Sequence, residues 1–297
     1  MLSEKLFSKT IKLISQHALS PQPGKEYRSK DTIKDILLDP LHDLVFEISD
    51  LKSFSVELPS EIYRDALFSD YYFGLVRINE QIKNLQIQIE NTCQTSWVLV
   101  TSYYAAFFMA TEITKLCGSF IINFSADDMK EIIRRSSKPL NSSISLDDTN
   151  YGYQAILKNS EYDKRVKMTF QKKSPRVHVE VWKNIAEIVK KLDVDDDEHQ
   201  FKELFLNICD GDDDRWHKPS RIRNDWNYRY AHYYGDKGQD LGEVFFKNIK
   251  SYNSSLSWAG NRTLQPHDKN IVAGLSYIYH VLYKTINSIN SRIYTTY

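Results

Sequence analysis

The stretch Arg221-Ile-Arg-Asn-Asp-Trp-Asn-Tyr-Arg-Tyr-Ala-His232 gathers three arginines, an aspartate and a histidine within twelve residues. This combination suits metal-independent cleavage of RNA. A guanidinium neutralises the scissile phosphate, and an imidazole takes a proton from the 2′-hydroxyl or gives one to the leaving oxygen. At about 100° per residue of helix, Arg221, Asp225, Arg229 and His232 fall close to one face, whereas Arg223 and His232 fall on opposite faces. Trp226, Tyr230 and Tyr233 form an adjacent aromatic face. Asp225 would orient or charge-balance Arg229 and His232. The candidate catalytic set is Arg223, Asn224, Asp225, Arg229 and His232. The same Arg–Asp–Arg spacing also describes an ordinary ion-paired helix face, so both readings stand at this point.

A second candidate is basic. Lys164, Arg165, Lys167, Lys172, Lys173 and Arg176 put six positive residues into thirteen with no acid between them. Alternation with Val166, Met168 and Phe170 would place the charge on one strand face, which suits contacts to a nucleic-acid backbone. A solvated hairpin edge kept from aggregating by lysine fits the same pattern. Two acidic blocks follow, Asp193/Asp195/Asp196/Asp197/Glu198 and Asp210/Asp212/Asp213/Asp214, with His199 and His217 beside them. They admit a metal reading, hence a metal-dependent nuclease as the weakest alternative. The calcium-loop pattern fails, however, and Asp210-Gly-Asp-Asp-Asp reads better as a turn. No metal and no cofactor are expected. The chain has no phosphate-binding glycine loop, no H-E-x-x-H and no G-x-S-x-G. The three cysteines, Cys93, Cys117 and Cys209, show no zinc spacing and fit a reducing compartment. His17, His42, His178, His267 and His280 form no cluster and receive no role.

These groups need elements to hold them, and helical periodicity dominates. Ile271, Leu275, Ile278, Leu282, Ile286, Ile289 and Ile293 form one apolar stripe on a long C-terminal helix, with Asp268 at the N-cap position. Another helix runs from Ser60 toward Ile89. Thr92 to Cys117 is apolar nearly all round and reads as a buried helix stopped by Gly118. Asp127 to Arg135 is a short helix capped by Ser125. Pro139 to Tyr153 reads as loop. Arg165–Phe170 and Val177–Trp182 alternate with period two, which predicts a β-hairpin. Lys183–Leu192 and Phe201–Cys209 are helical. Leu44–Ile48 fits strand or helix. The predicted fold is mainly α, a helical bundle with a small loop and β-hairpin insertion. Its segments are 1–58 (mixed or helical), 59–138 (first core helices), 139–182 (insertion) and 183–297 (remaining helices with the Arg/His segment), in one enlarged domain.

Thr95-Ser-Trp-Val-Leu-Val-Thr-Ser-Tyr-Tyr-Ala-Ala-Phe-Phe-Met-Ala110 resembles the aromatic–alanine helix of HEPN-fold proteins. Arg223-Asn-Asp-Trp-Asn-Tyr-Arg229 resembles their Arg–Asn element on a later helix. The resemblance implies a helical, homodimeric, RNA-acting protein of a bacterial defence or toxin–antitoxin system. Many members are metal-independent endoribonucleases in which one arginine from each protomer grips one phosphate across the two-fold axis. Here eight residues separate Arg223 from His232, a longer spacing than the family's motif. Members of the fold without the histidine are structural or binding versions, so the alternative is a non-catalytic helical module that partners another defence protein, encoded in the same operon.

Composition sets the outer limits. The chain has 297 residues, 39 Lys plus Arg and 39 Asp plus Glu, so its formal charge is zero and any nucleic-acid contact must be local. A hydrophobic share of 41% excludes a disordered chain, and only 10 Gly and 8 Pro exclude collagen-like and low-complexity classes. The first twenty residues lack the continuous apolar stretch of a signal peptide, and the run Ser96–Ala110 is too short and too polar to span a membrane. A cytoplasmic protein with no membrane partner is expected.

Overall fold

Period-two alternation turns out to be more widespread than one hairpin. In Ser53-Phe-Ser-Val-Glu-Leu-Pro59, Phe54, Val56 and Leu58 point one way and are buried, while Ser53, Ser55 and Glu57 point the other. Tyr151, Tyr153, Ala155 and Leu157 do the same, as do Val166, Met168 and Phe170. The computed structural model describes residues 1–16, 21, 25–48, 50–91, 95–136, 151–159, 164–174, 176–210, 219–224, 245–260 and 268–295. The helices are α1 (Leu2–Gln16), α2 (Ile33–Leu38), α3 (Ser60–Glu90), α4 (Thr95–Leu116), α5 (Ala126–Arg134), α6 (Val177–Lys190), α7 (Asp196–Asp210), α8 (Pro219–Asn224), α9 (Tyr252–Gly260) and α10 (Asp268–Thr295). The strands are β1 (Val45–Ile48), β2 (Ser53–Pro59), β3 (Ser119–Phe124), β4 (Tyr151–Asn159) and β5 (Arg165–Lys173). They form one five-stranded sheet in the order β1-β2-β5-β4-β3, antiparallel throughout.

This overturns the mainly α expectation: the chain is mixed α and β. The predicted hairpin fails in its second arm. Val177–Trp182 is the start of α6, and β5 pairs with β2 and β4 instead. Val181, Trp182, Ile185, Ala186 and Val189 are buried together at helical spacing, and that packing overrides the strand preference of three valines. The expected loop also gives way where Tyr151–Tyr153 open β4; residues 139–150 lie outside the described set. Leu44–Ile48 resolves as strand over Val45–Ile48.

The chain divides into two units that interleave in sequence. One, the sheet unit, takes Thr10–Gly74 and Thr111–Asn184; the other takes Met1–Lys9, Leu75–Ala110 and Ile185–Thr296, and its described residues contain no strand. In the sheet unit the apolar face carries an aromatic cluster. Phe54 and Phe170 are register partners with rings stacked at 4.4 Å, and Tyr153 meets Phe54 edge-on at 5.1 Å. On the polar face Asn184, 4% exposed, satisfies its amide by donating to Ser119 O (2.6 Å) and accepting from Ser119 Oγ and Gln154 Nε2.

The same unit buries charge. Lys115 of α4 donates to Asp70 Oδ1 of α3 (3.2 Å) and to Glu112 Oε1 (3.3 Å), whose side chain is fully buried. Asp70 Oδ2 also accepts from Ile33 N, the first residue of α2. Burial alone would lower the Lys115 pKa, but Glu112 and Asp70 outweigh it and hold the ammonium above its ordinary value. Gly74 makes room for this arrangement, because a Cβ there would stand 2.2 Å from Glu112 Cδ. At the end of α4, Gly118 adopts φ 68°, as its predicted stop position requires, and its carbonyl accepts from Leu157 N of β4 (2.7 Å).

In the helical unit the C-terminal stripe is buried as read: Leu275, Ile278, Leu282, Ile286, Ile289 and Ile293 are all at most 5% exposed. Lys115→Met should lower the unfolding free energy by about 3–5 kcal/mol, because Glu112 then loses its counter-charge inside the protein. Gly74→Ala should lower it by about 1–3 kcal/mol through overpacking. Urea titration followed by circular dichroism reads both. Losses below about 1 kcal/mol would mark the network as no stronger than a surface ion pair.

Candidate functional site

Helix α4 places its aromatic residues as a two-by-two ladder. Tyr103 stacks on Phe107 (6.1 Å, 13°), and Tyr104 lies over Phe108 one turn on (5.9 Å, 34°). The cross-rungs are Tyr103–Tyr104 at 5.4 Å and Phe107–Phe108 at 5.8 Å. The inner rail is buried, with Tyr103 at 0% and Phe107 at 7% exposure. Tyr104 and Phe108 on the outer rail are half-buried, and Trp97, two turns N-terminal on that face, is 51% exposed. Ala105 and Ala106 are fully buried.

Two guanidiniums lie against the outer rail. Arg77 of α3 sits 4.1 Å from the Phe108 ring centroid, and Arg223 of α8 sits 6.0 Å from that of Tyr104. Arg223 Nε is buried and has no hydrogen-bond partner among the described residues. A sealed donor without an acceptor costs roughly 1–3 kcal/mol, so the position favours an anionic oxygen. Arg223, the first residue of the second HEPN-like stretch, therefore meets the aromatic–alanine helix within the helical unit. Asn224 is the last residue of α8 and is half-buried. Asp225, Arg229 and His232 lie outside the described residues, as do Trp226, Tyr230 and Tyr233.

The basic stretch is distributed differently from its sequence pattern. β5 does place Arg165, Lys167 and Lys173 on one face, but acids from β1, β2 and the segment before β1 neutralise two of them. Arg165 bonds Asp43 Oδ2 (2.9 Å) and the carbonyls of Asp43 and Glu57; Lys167 bonds Glu47 (3.1 Å) and pairs with Glu57 (3.5 Å). The Glu47 contact and its charge raise the Lys167 pKa against slight desolvation. Lys172 points to the other face, over the Tyr151 ring at 5.2 Å. Lys164 precedes the strand in a left-handed conformation (φ 59°), and its carbonyl accepts from Ser60 N. Arg176 opens α6, its carbonyl accepting from Val179 N and Glu180 N.

The first acidic block is used structurally. Asp196, Asp197 and Glu198 occupy the first turn of α7, where the helix dipole favours them. Asp195 pairs with Lys5, and Glu198 with the Met1 amine. Among the described residues no group of three potential metal ligands occurs. Asp210 ends α7, and Asp212, Asp213, Asp214 and His217 lie outside the described residues. No helix among them is long and apolar enough to cross a membrane. Cys117 and Cys209 are buried thiols; Cys117 lies 3.4 Å from Thr10 Oγ1.

No protein-family model, no curated protein and no solved structure matches this chain. Sequence reasoning missed Arg77, which is a single cation on a long helix until α4 is placed beside it. It also gave no part to the ring cluster around His280. The signal for that cluster was the Tyr279-His280-Tyr283 spacing on one flank of α10.

If a single-stranded RNA stacks on this face, Tyr104→Ala should weaken its binding by about 1–3 kcal/mol, the value of one stacked base. Arg165→Gln and Lys167→Gln should leave the salt slope unchanged, where a true phosphate contact would reduce it by about one. Filter binding across a salt series measures both. The reverse pattern would move the interface to the sheet.

Proposed function

We propose that this protein acts on RNA through the α4–α8 site as a HEPN-like, metal-independent endoribonuclease. The observation that supports the reading is the Arg223 guanidinium set against the Tyr104 ring with a buried, unpartnered Nε. Half-exposed aromatic faces accept unpaired bases, and guanidiniums beside them accept the phosphates that follow. In this mechanism the 2′-oxygen attacks phosphorus and the 5′-oxygen leaves, giving a 2′,3′-cyclic phosphate and a 5′-hydroxyl. His232 carries the proton from the first oxygen or to the second. Arg223 and Arg229 stabilise the charge that builds on the phosphate, and Asn224 and Asp225 position them. The active form is a homodimer in which the motif of each protomer faces one phosphate, so that orientation supplies much of the rate. Its setting is a cytoplasmic bacterial defence or toxin–antitoxin system, with a partner protein encoded alongside.

The eight residues between Arg223 and His232 favour a second reading. In it the same face binds RNA or a partner protein without cleaving.

Wild-type protein incubated with total RNA in EDTA should cleave it and leave cyclic-phosphate ends. Arg223→Ala should lower kcat/KM by about 10²–10³. His232→Ala should lower it by about 10²–10⁴. Cleavage abolished by EDTA, or untouched by both substitutions, would refute the nuclease. Binding without cleavage would select the second reading.

A further inference from the structure

A cavity of about 600 Å³ opens in the helical unit between the second half of α3, the turn at Ile249–Lys250 and α10. Small-molecule sites span roughly 300–1,000 Å³, so this one has room for a compact ligand. Its chemistry is graded. Ile89 and Ile249 supply aliphatic wall, Tyr279, His280 and Tyr283 line one side, and Lys250 and Glu90 bring one charge of each sign. The Tyr279 and Tyr283 rings lie one turn apart and parallel, 5.7 Å between centroids at 8°. His280 stands edge-on to both Tyr279 (5.2 Å) and Tyr252 (6.1 Å).

The histidine is the informative group. It is 7% exposed, and its Nε2 lies 2.8 Å from the Ile249 carbonyl. A carbonyl oxygen only accepts, so Nε2 carries the proton. In the neutral ring Nδ1 is then a lone-pair acceptor, and no donor among the described residues reaches it. Burial disfavours the imidazolium more than the Ile249 bond favours it, and Lys284 adds to the effect, so the ring stays neutral near pH 7. A protein that needed only packing here would be served by another aromatic residue. An acceptor held in place beside two parallel tyrosines suits a flat heteroaromatic ring with an N–H to donate.

We propose that this cavity binds a nucleoside monophosphate, its base against the tyrosine pair with an N–H on His280 Nδ1 and its phosphate at Lys250. A single lysine, with Glu90 also in the lining, offers charge for one phosphate rather than three. The nucleotide is either free or the terminal unit of an RNA chain, since both present the same base and phosphate. The site stands on observations separate from those at α4, and its fate is independent of the nuclease reading.

Isothermal titration of the full-length protein with AMP, adenosine, ribose 5-phosphate and a 5′-phosphorylated oligoadenylate tests it. AMP should bind saturably, with adenosine about tenfold weaker for want of a charge-assisted hydrogen bond. Lys250→Ala should bring AMP down to the affinity of adenosine and leave adenosine unchanged. Lys250 is exposed, so this variant should fold. His280→Phe, checked by near-ultraviolet circular dichroism, should weaken both by about tenfold. Equal dependence on Lys250 for the oligoadenylate assigns the site to RNA ends; binding of AMP alone assigns it to the free nucleotide. AMP binding no tighter than ribose 5-phosphate, or indifferent to Lys250→Ala, would overturn the proposal.

Discussion

A lysine ammonium held between two carboxylates, with little water to screen it, fixes how α4 lies beside α3. Within the sheet unit Asp70 meets Lys115 and Gly74 meets Glu112, so the partners advance along α3 as they retreat along α4. The carboxylate of a fully buried glutamate cannot be left without its cation, which makes this register costly to change. Gly74 enforces it sterically. Any side chain at that position would occupy the space of the Glu112 carboxyl group.

With α4 placed, its remaining chemistry follows from how much aromatic surface it carries. Tyr103 and Phe107 are sealed, whereas Tyr104 and Phe108 are half-buried, with Arg223 and Arg77 lying over their rings. In the run of six cations, Asp43, Glu47 and Glu57 fold against two, Arg165 and Lys167. At α8 no carboxylate among the described residues answers Arg223. Paired cations contribute little to phosphate binding, because the phosphate must first compete with the acid already there.

Much of the helical framework was legible because its signals were long or specific. The Leu275–Ile293 stripe, the Ser125 cap and the Gly118 stop each rest on a local rule that the structure obeys. The Ser125–Asp128 capping box satisfies the first backbone donors of α5, for example, without help from distant residues. The sheet was harder. β2 and β4 do alternate, but strands of seven and nine residues separated by long helices announce no partner, and pairing β2 with β5 joins residues more than a hundred positions apart. The valines of Val177–Val181 showed the converse, a strand-like pattern that helical burial of Trp182 and Ile185 overrules. At the site, sequence named Arg223 and the aromatic helix, but only the fold could add Arg77 or show which ring each cation meets.

The proposed function requires RNA to lie along the outer face of α4. Photo-crosslinking a single-stranded RNA containing 4-thiouridine to the full-length protein, followed by mass spectrometry of the adducts, tests it most directly. Adducts should map to Trp97, Tyr104 and Phe108. Adducts confined to β5, at Lys172 or Lys173, or no adducts at all would contradict it.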